Sequence, residues 1–124
     1  MEERTIRGTW FEMSADPGGF LRCVWAEGTE VRRDDAQQAV AAVAALAPML
    51  PYRLLVDMCR IRRIDHEARR IFGGNTVLGR QALLIETPVS RVLANFFITV
   101  TGAPFPTRSF DDEAKAIDWL QRDE

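Results

Sequence analysis

Apolar and polar residues follow two different periods along the chain, and the switches between them divide it into strands and helices. Residues 9–13 (Thr, Trp, Phe, Glu, Met) and 20–25 (Phe, Leu, Arg, Cys, Val, Trp) are rich in aromatic and β-branched side chains, which suit a pleated, half-buried surface. Between them Ala15-Asp16-Pro17-Gly18-Gly19 supplies a turn, because proline presets one φ and glycine accepts a positive φ. The two segments predict an N-terminal β-hairpin. From Asp34 the period lengthens: Ala36, Ala39, Val40, Val43, Leu46 and Ala47 fall on one face of a helix. Asp34 and Asp35 suit its first turn, and Pro48 and Pro51 end it.

Leu54-Leu55-Val56, followed by Asp57, is an unbroken apolar run of the kind found in strands covered on both faces. Ile64 and Asp65 open a second helix, with Asp65 as N-cap, Ala68, Ile71 and Phe72 inward, and Gly73-Gly74 as the stop. Residues 81–85 predict another strand. Thr87-Pro88 starts a third helix whose inward stripe is Val89, Val92, Leu93, Phe96, Phe97 and Val100, and Gly102-Ala103-Pro104 ends it. Residues 107–110 form a last strand. Asp111 caps a final helix in which Ala114, Ile117 and Leu120 point inward and Trp119 borders the core. The order is ββαβαβαβα: an α/β fold with a mixed, mostly parallel sheet, right-handed crossovers and the hairpin at one edge. Short connections and the absence of any linker or repeat predict a single domain over residues 1–124.

Composition narrows the class. Apolar residues make up 47% of the 124 and charged residues 27%, as in soluble globular domains. The net charge of −2 speaks against nucleic acid as the main partner. The start, Met1-Glu2-Glu3-Arg4, has neither the basic nor the apolar region of a signal peptide, and no apolar run approaches the ~20 residues of a membrane span. The expectation is a cytoplasmic protein without membrane insertion. Cys23 and Cys59 are then expected as free thiols, with a bridge as the alternative.

Candidate chemistry is sparse. One histidine and two cysteines far apart in the chain do not make a metal site, and no phosphate-cradling glycine loop or nucleophile elbow is present. No cofactor and no enzyme activity are expected. The basic residues are nearly all arginine, Lys115 being the single lysine; composition bias explains this, or selection for forked anion recognition does. Arg60, Arg62, Arg63, Arg69 and Arg70 stand against Asp65 and Glu67 in one short segment, a local balance of +3. That segment follows a central strand and enters a helix, a common place for ligands in parallel sheets. The alternative is a solvated face paired with acids, for which the acidic stretch 111–124, of the same chain or of a neighbouring subunit, is the obvious counterpart. His66 alone could act as a base, although an exposed place in the first helical turn suits it as well.

The stretch Val56-Asp57-Met58-Cys59-Arg60-Ile61-Arg62-Arg63-Ile64-Asp65 resembles the STAS, or SpoIIAA-like, pattern of a strand ending in Asp, spaced apolar positions and Asp at a helix start. The tail from Pro106 through Trp119-Leu120 resembles the last strand and helix of SpoIIAA-like and Sec14-like bacterial proteins. The resemblance covers nearly the whole chain and implies a SpoIIAA-like fold. In anti-sigma-factor antagonists it also implies a phosphorylated serine in an Asp-Ser-Ser-Gly turn. That turn corresponds here to Asp65, His66, Glu67 and Ala68, so Glu67 stands at the acceptor position and a serine switch is excluded there. Glu67 either mimics the phosphorylated state or is an ordinary first-turn glutamate.

Two functions follow as expectations. One is a non-catalytic regulatory or protein-interaction module using Asp57, Arg60, Arg62, Arg63, Asp65, His66, Glu67 and Arg69, with an unknown protein partner. The other, implied by the Sec14-like branch, is a binder or carrier of a non-polar, lipid-like small molecule. For that function, or for a homodimer contact, Phe96, Phe97 and Val100 are the candidate surface, on a helix apolar almost all round near its end.

Overall fold

The computed structural model describes residues 5–46, 52–73, 78–96 and 106–122. The hairpin forms between β2 (Phe11–Asp16) and β3 (Phe20–Trp25), in a register that pairs Asp16 with Phe20 and Phe11 with Trp25. Ala15 and Asp16 therefore continue the strand, and the loop is only Pro17-Gly18-Gly19. Gly19 takes a φ of +88° and donates its N–H to the Asp16 carbonyl at 3.1 Å. The Asp16 carboxylate accepts the Gly18 N–H at 2.8 Å. A short strand absent from the sequence reading, β1 (Thr5–Arg7), extends the hairpin outward.

The chain continues through β4 (Thr29–Val31), α1 (Arg33–Leu46), β5 (Tyr52–Asp57), β6 (Ile61–Ile64), α2 (His66–Gly73), β7 (Leu78–Leu84), α3 (Pro88–Phe96), β8 (Thr107–Phe110) and α4 (Glu113–Gln121). Six strands make one mixed sheet in the order β1-β2-β3-β5-β7-β8. The first three are antiparallel, and β3, β5, β7 and β8 run parallel. The expected α/β class and edge hairpin are present. A two-stranded parallel ribbon, β4 with β6, stands apart from the main sheet.

Alternation along the central strands separates two cores. Cys23, Leu54 and Leu83 pack with α1, α2 and Ala94 of α3. Leu55, Ala82 and Phe20 pack with Ala116 and Leu120 of α4 on the opposite face. Leu54 and Leu55 are both buried, so β5 is covered on both sides, as its unbroken apolar run predicts. Ala36, Ala39, Val43 and Leu46 face inward from α1. At the helix start the Asp35 carboxylate reaches back to accept the Arg32 N–H at 3.0 Å, one half of a capping box.

Several expectations need correction. Ile64 closes β6 rather than opening the second helix, although Asp65 does cap that helix. The α4 cap is Asp112, which accepts from Ala114 and Lys115, and this shift by one residue leaves Ala114 exposed and buries Ala116. α3 is turned by about one residue, roughly 100°. Val89 and Val92 are 52% and 66% exposed, while Ser90 and Ala94 are fully buried. Ser90 fixes that rotation: its Oγ accepts the Glu86 and Thr87 N–H groups at 3.0 and 2.9 Å and donates to the Thr87 carbonyl. Ala47, Pro48, Pro51, Gly74, Phe97, Val100 and Gly102-Ala103-Pro104 lie outside the described residues.

Candidate functional site

The Asp57–Arg70 segment is built from the end of a central strand, a turn, the ribbon strand β6 and the first turns of α2. At the strand end the Asp57 carboxylate accepts the Cys59 N–H at 3.0 Å, while Met58 N–H donates to the Leu84 carbonyl at 3.0 Å. These bonds turn the chain off the sheet. It is then held against the β3–β4 connection by the Gly28 N–H, which donates to the Arg60 carbonyl at 2.8 Å. β6 follows, where the sequence reading placed a loop. Ile61 and Ile64 are buried and Arg62 and Arg63 exposed, because the register with β4 jumps from Thr29–Ile61 to Glu30–Arg63 and the extra residue lets both arginines face solvent. The Asp65 N–H donates to the Val31 carbonyl at 3.0 Å, which ties the ribbon to the helix start. The Asp65 carboxylate accepts the Ala68 N–H at 2.8 Å as the N-cap of α2.

Among the eight candidate residues, Arg60, Arg62, Arg63, His66 and Glu67 are exposed, and Asp57, Asp65 and Arg69 are half-buried. Those that border grooves are divided among three. Arg60 borders a groove with Trp10 and Arg7, Arg62 a second groove with Trp10 and Glu27, and Arg63 a third with Glu30 and Asp65. Trp10, 53% exposed, stands between the first two and was missed in the sequence reading, which counted it as part of a strand. Among the described residues no ion pair within 4 Å engages Arg60, Arg62, Arg63 or Arg70. Among the described residues of the chain, the acidic stretch makes no ion pair with them. α4 lies on the other face of the sheet, where Glu113 pairs with Arg22 at 2.6 Å and Asp118 with Arg122 at 2.9 Å.

Both cysteines are free thiols. Burial, with the charge of Asp57 adding to it, pushes Cys23 above the usual thiol range. Cys59 is pushed up to about 12, first by burial and then by its hydrogen bond to Asp57 and the charges of Asp57 and Glu86. Neither is an activated nucleophile at neutral pH. No group of three His, Cys, Asp or Glu able to hold a metal occurs among the described residues, and none of their helices is long and apolar enough to cross a membrane. Of the second candidate surface, Phe96 ends α3 as described; Phe97 and Val100 fall outside.

A second feature lies inside the molecule, between the main sheet and α1. An apolar cavity of about 50 Å³ is lined by residues including Met13, Val31, Val43, Leu83 and Gln81. The sequence signal for it was Gln81, the single polar residue of the run 81–85.

A family model described as a domain of unknown function, DUF7793, matches residues 13–123. Among solved structures, the chain is similar to an uncharacterized protein of the DUF3478 family from Shewanella loihica PV-4, described as having a SpoIIAA-like fold. The TM-score is 0.57 at 18% identity, over 96% of this chain and 92% of that one. A protein of unknown function from Arthrobacter sp. FB24 is 36% identical over 87% of this chain and 96% of its own, with a TM-score of 0.36. No curated protein matches the sequence. The fold is SpoIIAA-like, as the resemblance of the central stretch implies.

Proposed function

Since the chain belongs to the DUF7793 family and has a SpoIIAA-like fold, we propose that it is a non-catalytic regulatory module of the cytoplasm that docks an acidic protein surface. The observation that supports this reading is the set of exposed arginines, Arg60, Arg62, Arg63 and Arg70, left without an acidic partner among the described residues. Arg62 and Arg63 stand on the short, hydrogen-bonded ribbon, with Arg60 in the turn before it and Arg70 on α2, and their fork-shaped guanidinium groups suit carboxylates. Trp10 beside Arg60 and Arg62 adds the aromatic anchor that protein interfaces favour. Glu67, at the position where the anti-sigma-factor antagonists that this segment resembles carry a serine, makes the module independent of serine phosphorylation at that turn.

The test is charge reversal. Arg62→Glu with Arg63→Glu should abolish retention of the partner captured by the wild-type protein, while Arg62→Lys with Arg63→Lys should retain part of it. The wild-type complex should also weaken with added salt, since exposed charges are screened. Partners that stay bound to the doubly reversed protein would place docking elsewhere.

A further inference from the structure

We infer that the groove between Trp10 and Arg60 receives an extended acidic segment of a partner protein, with an aromatic side chain of that segment against Trp10 and a neighbouring carboxylate on Arg60. The inference rests on the reading of the arginine surface above and names what that surface recognises.

Trp10 is 53% exposed in the connection between β1 and β2, and hydrogen bonds hold that connection in place. The Gly8 N–H donates to the Phe11 carbonyl at 2.9 Å, and the Ala26 N–H to the Trp10 carbonyl at 2.8 Å. The Thr9 N–H donates to the Gln38 side chain of α1 at 3.0 Å. A side chain at Gly8 would overlap the Phe11 ring, so glycine lets the turn close over that ring. Phe11 lies 5.0 Å from the Trp25 ring, and both are buried. The turn therefore stands on the core and presents a large apolar ring to water. Tryptophan and arginine are the side chains that most often anchor interfaces, and a turn ordered beforehand lowers the cost of binding.

The groove measures about 440 Å³ and is bordered by residues including Trp10, Val24, Ala26, Arg7, Glu12 and Arg60. Its charges select the occupant. Arg7 pairs with Glu12 at 3.3 Å, so Arg60 is the one charge of this groove without an ion pair among the described residues. The second groove at Trp10 is mixed. Glu30 pairs with Arg32 at 3.0 Å there, and a carboxylate entering it would meet Glu27 as well as Arg62. The Arg60 side is the one that favours an anion. In an extended segment, residues two apart point the same way, about 6.5–7 Å from each other. An aromatic residue with a carboxylate two positions away then serves Trp10 and Arg60 together.

The probe is a capped pentapeptide of glutamate, serine, phenylalanine, serine and glutamate, titrated into the ¹⁵N-labelled full chain by NMR. Its symmetry offers Arg60 a carboxylate whichever way the peptide runs. It is expected to shift the Trp10 indole N–H and the Arg60 Nε–H saturably. Alanine in place of the peptide's phenylalanine should weaken binding about tenfold. Glutamine in place of both glutamates should weaken it about three- to fivefold, the size of an exposed ion pair. In Trp10→Ala, checked for folding by its amide spectrum, the phenylalanine and alanine peptides should bind alike. Arg60→Gln should remove the preference for glutamate and keep that for phenylalanine. Equal binding of the phenylalanine and alanine peptides to the wild type, or a phenylalanine preference that survives Trp10→Ala, would overturn the groove. If such binding is still lost in Arg62→Glu with Arg63→Glu, the arginine surface stands without it. The absence of any saturable shift would overturn the groove alone. Indifference of the wild type to glutamate or glutamine would overturn both.

Discussion

The Arg80 guanidinium donates from Nη1 to the Trp119 carbonyl at 2.7 Å and to the Arg122 carbonyl at 3.1 Å, and the same group lies 5.2 Å from the centre of the Trp119 ring. One side chain on β7 thus closes the C-terminus of α4, where the carbonyls lack helical partners, and covers the aromatic ring beside it. Arg108 adds a second guanidinium, 5.2 Å from the Phe110 ring and 5.8 Å from that of Trp119. Here the surplus of arginine over lysine has a structural use.

Lysine cannot reproduce this arrangement, because a single ammonium has no planar fork to lie on the ring while serving two carbonyls. Arg80→Lys is expected to cost about 1 kcal/mol and Arg80→Ala about 2 kcal/mol, measured by urea unfolding. Equal stability of wild type and Arg80→Lys would show that the contact to Trp119 contributes nothing.

The rotation of α3 makes a second test. Ser90→Ala removes the acceptor for two part-buried backbone N–H groups and should cost about 1–2 kcal/mol. Val92→Ser, on the face the apolar pattern assigns to the core, should change stability by less than about 0.5 kcal/mol. The reverse ranking would restore the inward Val89–Val92 stripe.

These two helices mark how far the sequence could be read. Periodicity placed every helix and the central strands, because Ala36–Leu46 and Leu54–Val56 carry an unambiguous apolar signal. It failed where a local polar contact overrides a broad apolar pattern, as Ser90 does in α3 and Asp112 in α4. It also missed β1, β4 and β6, which have three or four residues each and too few apolar positions for a period. β6 looked like a basic loop because its two middle positions are Arg62 and Arg63. The basic segment itself was legible, since charge needs no fold to be counted. Its freedom from the acidic stretch was not, because that follows from α4 crossing to the other face of the sheet. Nor could the sequence pair Trp10 with Arg60 and Arg62, which lie fifty residues away and meet it only through the ribbon.

The thiols set an alkaline limit. Cys59 is raised from 9.0 to about 12, and Cys23 is raised as well. The folded protein therefore holds thiol protons that the unfolded chain releases above about pH 9. Their contribution to stability is complete below that pH and is lost as the pH climbs from 9 towards 12. The urea midpoint should fall over this range, and less steeply in Cys59→Ser. Near pH 8 the folded protein should react with iodoacetamide far more slowly than the urea-unfolded chain. Asp57→Asn, which removes one cause of the shift, should speed the reaction at Cys59. Alkylation of the folded wild type at the unfolded rate would contradict the protected thiols.

Gln81 is only 6% exposed, and its Nε2 has no hydrogen-bond partner, which offers a test that does not depend on any ligand. An amide nitrogen buried without a partner costs about 1–3 kcal/mol of desolvation, whereas an apolar side chain of similar size at the same place gains from burial. Gln81→Met should therefore raise stability by about 1–2 kcal/mol, read as a higher urea midpoint at unchanged slope. Met is the better probe than Leu here because its unbranched chain follows the path of Gln and adapts to an irregular wall. The opposite result is equally informative. If Gln81→Met lowers stability, the amide has a partner in solution, and the Nε2 group is not an orphan. A gain in stability would mean instead that the fold carries this polar group at a cost, as functional sites commonly do.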